Sequence, residues 1–124
     1  EADAEEPARH VMTAAGRKEH DTLLIIALRT LPETGDTAEL RAALHFADLL
    51  QAEAVRSALT DRLAAIDGAL SDIDARIDAA GPAGNSPFVT HKAGLEHALL
   101  RAQSEWLRNL LDQVLAPSGR SRSR

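Results

Sequence analysis

The chain carries five histidines, nineteen carboxylates and no cysteine. Metal and acid–base chemistry would therefore rest on imidazole and carboxylate alone, and thiol catalysis, disulfides and zinc ribbons are excluded. A di-iron helical bundle needs a Glu three residues before a His, so that both ligands share one helix turn. The residues three before His10, His20, His45, His91 and His97 are Pro7, Arg17, Ala42, Phe88 and Gly94. No His-Glu-x-x-His occurs, and His91 and His97 are six apart and face different directions. These histidines read as surface or interface groups, with no metal site. A Gly-x-Ser-x-Gly nucleophile turn is missing. Gly81 and Gly84 lie between helical patterns, not at a strand-to-helix phosphate cradle. Asp72 and Asp74 point away from the apolar seam and read as a solvated face. The expectation is a non-enzyme without a cofactor.

The aromatic residues are few: Phe46, Phe88 and Trp106. Trp106 has two readings, a large filler of a core or interface, or a stacking wall for a flat hydrophobic ligand. Phe46 and Phe88 have the same two.

The elements that position these residues follow from punctuation and periodicity. Ala and Leu dominate 124 residues, a length that suits one domain, and the shortage of aromatics argues against a sandwich or barrel. All five prolines fall between helical patterns. Residues 1–12 form an acidic lead-in in which His10-Val11-Met12 resembles a strand end. Thr13 caps a first helix over about 14–31, closed by Pro32. A second helix, about 38–50, starts at Asp36 or Thr37. The third, about 52–80, carries Leu59, Leu63, Ile66, Leu70, Ile73 and Ile77 at heptad spacing, with Asp61, Arg62, Asp67 and Arg76 on other faces. Gly81 stops it, and Ser86-Pro87 opens a fourth helix, about 87–116.

The fourth helix has two apolar stripes. One runs through Phe88, His91, Leu95, Leu99, Ala102, Trp106 and Leu110, the other through Leu100, Leu107, Leu111 and Val114. Two stripes exceed what one partner helix covers. The predicted fold is all-α with four helices, the long third and fourth forming an antiparallel pair that makes a homodimer. Its interface is expected at Leu95, Leu99, Trp106, Leu107 and Leu110.

Net charge is −5, and −8 once Arg120, Arg122 and Arg124 of the Arg/Ser tail 117–124 are set aside. Such an acidic body repels phosphate backbones. The tail reads as a solvated, disordered end. The longest uncharged apolar run, Thr22 to Leu28, is too short for a bilayer, so no membrane partner is expected.

Segment order adds a resemblance. His10-Val-Met-Thr-Ala-Ala-Gly16-Arg-Lys-Glu resembles the wing end and following helix of PadR-like transcriptional regulators. Leu44 to Leu50, the heptads from Leu59-Thr-Asp-Arg62-Leu63, the Gly/Pro break and Glu105-Trp106-Leu107 are similar to that family's C-terminal helical region. Met12 departs from the usual aliphatic residue before the Thr, and no recognition helix is present. The resemblance implies a cytoplasmic regulator of which residues 13–116 are the dimerisation and effector-sensing portion. DNA would be read only through a winged-helix domain upstream, with Arg9 and His10 as DNA-proximal remnants of the wing. It also implies a hydrophobic or aromatic small-molecule effector, with Trp106, Phe46, Phe88 and Leu99 as ligand candidates. Two alternatives are a stand-alone hydrophobic-ligand binder and a helical protein–protein adaptor.

Overall fold

The structure, a computed structural model, describes residues 13–81 and 86–115. Arg9, His10, the wing-strand remnant and the Arg/Ser tail lie outside the described residues. Among the described residues there are four α-helices and no strand.

Helix α1 spans Ala14–Arg29. The Thr13 hydroxyl accepts from the Gly16 N–H at 3.0 Å, satisfying one orphan donor of the first turn. The helix ends two residues before the expected boundary, because the residue preceding Pro32 is driven out of the helical region. Helix α2 spans Ala38–Leu44. It is entered through Asp36, whose carboxylate accepts from the Ala38 N–H at 3.0 Å.

The single helix expected over 38–50 is broken. His45 and Phe46 close i→i−3 bonds, and a 3₁₀ turn follows at Ala47–Leu49. On a straight helix Leu44 and Leu50, six apart, would project to different sides. The break brings both to a cavity wall shared with Val55, Leu59 and Leu110.

Helix α3, Ala52–Ala80, keeps the expected bounds. It stops at Gly81, which takes φ +69°, a backbone conformation that glycine adopts without Cβ strain. Helix α4 spans Pro87–Gln113; the Ser86 hydroxyl accepts from the Val89 N–H at 3.2 Å, with Pro87 at the first helical position. The two long helices pack closely and run antiparallel. Val55 and Leu59 share a cavity wall with Leu110, Asp74 meets His97 at 3.1 Å, and Ala80 lies across from Val89 and Ala93.

The core is the seam between these helices and α1. Leu28, Leu59, Ile66 and Leu107 are fully buried at its centre, with Leu40, Val55, Ala58, Ile73 and Leu100 around them. Helices α1 and α2 cover the half of the α3–α4 hairpin nearest the start of α3. Arg29 pairs with Asp61 at 2.9 Å, and the Leu31–Pro32 segment reaches Ala69 and Ile73.

Candidate functional site

Helix α4 turns its two apolar stripes in different directions. Leu100 and Leu107 point into the core with the buried Ser104 between them. The other stripe stays in the open: Leu95 is 59% exposed, Leu99 61%, Trp106 41% and Phe88 85%. Leu95, Leu99, Ala102 and Trp106 are spaced 4, 3 and 4, the pattern of a helix-pairing seam.

The residues nominated for an interface thus divide. Leu95, Leu99 and Trp106 share the exposed face. Leu107 does not, because its side chain is buried in the chain's own core. Leu110 is half-buried and turns toward Leu44, Val55 and Leu59.

Beside the exposed stripe lies an open groove of about 610 Å³ between α4, α2 and the segment that joins α1 to α2. Leu40, Leu44, Leu99, Ala102 and Trp106 supply its apolar wall, and Asp36, Thr37, Arg41 and Gln103 its polar groups. An aromatic wall with a few polar groups suits a small, flat, largely apolar molecule. Of the four proposed ligand residues the structure brings Trp106 and Leu99 together here. Phe46 is elsewhere, edge-on to the imidazole of His20 at 6.1 Å and that of His45 at 6.2 Å. Phe88 projects from the first turn of α4, and neither ring lines the groove.

A second cavity of about 500 Å³ lies against the same connecting segment. Its wall includes Leu31, Ile73 and Leu100 with the charged Glu33, Asp72, Arg76 and Glu96. Thr34, Gly35 and Leu99 belong to both cavities, so one short segment forms a partition between them. Gly35 takes φ +76° in the turn closed by its N–H to Pro32 O at 2.9 Å.

The floor under this partition is polar. Arg62, placed by the sequence pattern on an outer face of the third helix, is instead 1% exposed. Its guanidinium donates to Gln103 Oε1 and Thr30 O, both at 2.8 Å, to Ala27 O at 3.4 Å and to Asp36 O at 3.5 Å. No carboxylate pairs with it among the described residues. Charge compensation comes from the carbonyls at the C-terminal end of α1, the negative end of that helix's dipole. Ile26 O is taken by the Thr30 N–H at 3.0 Å, while Ala27 O has no intrahelical donor and turns to Arg62. Burial lowers the Arg62 pKa from its ordinary value, the direction desolvation imposes on a cation. A signal for this position was present: Leu59, Arg62, Ile66, Ala69 and Ile73 are spaced 3, 4, 3 and 4, a second seam that Arg62 interrupts.

Among the described residues no cluster of His, Asp and Glu is arranged to hold a metal ion, and no helix is long and apolar enough to cross a membrane. No protein-family model, curated protein or solved structure matches the chain.

Proposed function

We propose that this chain is the dimerisation and small-molecule-sensing portion of a PadR-like transcriptional regulator, acting in the cytoplasm through a winged helix joined ahead of α1. Two copies pair along the exposed stripe of α4, and a hydrophobic or aromatic effector lodges against Trp106. The observation that carries this reading is the coincidence of that stripe with the groove: Leu99, Ala102 and Trp106 belong to both. A molecule in the groove therefore touches the surface on which the second copy would sit. An effector with unequal affinity for two pairing geometries shifts the balance between them, and with it the spacing of two attached DNA-binding heads.

Each large apolar side chain newly covered adds about 1.5–3 kcal/mol at most, so loss of one central residue should be visible in the association constant. Sedimentation velocity over micromolar to millimolar concentrations tests this directly. The wild-type chain is expected to sediment as a dimer, and Leu99→Glu as a monomer of unchanged helicity. A wild-type chain that stays monomeric throughout that range refutes the pairing. Effector binding is read by quenching of Trp106, the chain's one tryptophan.

A further inference from the structure

One side chain joins the groove to the end of α1. Gln103 lines the groove, and its Oε1 accepts from Arg62 Nε at 2.8 Å. From the same guanidinium, Nη1 reaches Thr30 O at 2.8 Å and Ala27 O at 3.4 Å, where α1 ends. A guanidinium is planar, so the directions of its N–H groups are fixed relative to one another. The Gln103 carboxamide, by holding Nε, therefore helps fix the plane of the fork that grips Thr30 and Ala27. Gln103 is also the one side chain that Arg62 bonds among the described residues.

We propose that Arg62 transmits occupancy of the groove to the C-terminal end of α1. A ligand that donates a hydrogen bond to the Gln103 carboxamide draws Oε1 away from Arg62, and the guanidinium loosens its hold on the Thr30 and Ala27 carbonyls. This rests on the groove being the effector site and specifies how that site is read out. By linkage, loosening α1 alters affinity in the groove by the same factor. Gln103 and Trp106 stand three residues apart, one helix turn, so a ring against Trp106 places its polar substituent within reach of the carboxamide.

The probe is 1-anilinonaphthalene-8-sulfonate, an aromatic with an anilino N–H. Amide exchange is followed at Thr30 and Gly35 in the wild type, Gln103→Leu and Gln103→Glu, with binding followed by Trp106 quenching. The probe should quench Trp106 in the wild type and accelerate exchange at those amides there by roughly ten- to a hundredfold, the scale of one lost bond to a charged group. Gln103→Leu should exchange fast there without the probe and gain nothing from it. Gln103→Glu, which keeps an acceptor for Arg62, should stay slow. Quenching in the wild type without any change at Thr30 and Gly35 overturns the link and leaves the groove as a binding site. Wild-type-like protection in Gln103→Leu, or acceleration spread evenly over all helices, overturns it too. Absence of quenching in the wild type removes the effector site and the link together.

Discussion

Replacing Arg62 by Met tests whether the guanidinium holds α1 in place. The methylene stem of Arg62 is matched by the Met chain, so the apolar packing of α3 is largely kept. What is lost is the polar head. Two of its bonds are short, to Thr30 O and Gln103 Oε1 at 2.8 Å each. Bonds to a charged group contribute about 1.5–3 kcal/mol apiece, which makes a gross loss of about 3–6 kcal/mol. Against this stands relief from burying a cation, about 1–2 kcal/mol once the helix-end carbonyls that already offset it are counted. The net expectation is a destabilisation of about 1–5 kcal/mol, read as a lower urea midpoint at unchanged slope in circular dichroism. Arg62→Lys keeps the charge but offers no planar fork, and should fall between the two. An Arg62→Met protein within about 0.5 kcal/mol of wild type, or more stable, refutes the reasoning. Desolvation would then outweigh the hydrogen bonds.

Four further outcomes follow from the packing and the caps. Leu107→Ala should cost about 2–5 kcal/mol in the urea titration because Leu107 is fully buried, whereas the exposed Leu95→Ala should change the stability of the single chain by less than about 0.5 kcal/mol. Ser86→Ala removes the acceptor of the Val89 N–H and should lower stability by about 1 kcal/mol in the same assay. Gly81→Ala meets no neighbour within 4 Å, so its cost of about 1–3 kcal/mol would come from the backbone alone, φ +69° with ψ 174°, a region open in practice only to glycine, and Gly81→Asn should recover none of it. Asp61→Asn breaks the exposed 2.9 Å pair with Arg29 and should cost less than about 1 kcal/mol, a difference that vanishes in molar salt.

The bounds of α3 and the start of α4 were legible because their signals are local: an unbroken heptad ending in Gly81, and a Ser-Pro entry. The break that ends α2 at Leu44 was not legible. His45 and Phe46 carry no helix-stopping residue type, and the turn there is imposed by Leu44 and Leu50 both reaching Val55 and Leu59. Two stripes were visible on α4, but not which one the core takes up. That choice depends on how α3 lies against it, which assigns Leu107 inward and leaves Leu99 and Trp106 outside. The sequence pattern puts Arg62 on an outer face because charge type is a strong cue for exposure and the compensating groups are backbone carbonyls. Nothing in residue identity marks a carbonyl at the end of α1 as a counter-charge.

The long hairpin is not uniformly anchored. Ile73 is the last buried residue of α3 and Leu100 the first of α4. Beyond them, residues 74–80 and 87–99 are joined mainly by the half-buried Ala80 and Ala93 and the 3.1 Å contact of Asp74 with His97. Helix segments with so little burial open at far lower free energy than the rest of a domain. The hairpin should therefore behave as a stiff base with a tip that melts first on warming. A helix laid along the α4 stripe would meet firm ground at Trp106 and a yielding end at Phe88. Contacts at Phe88 would carry an ordering cost that those at Trp106 do not. Such a seam would close from its base outward and grow shorter with temperature before it dissociates.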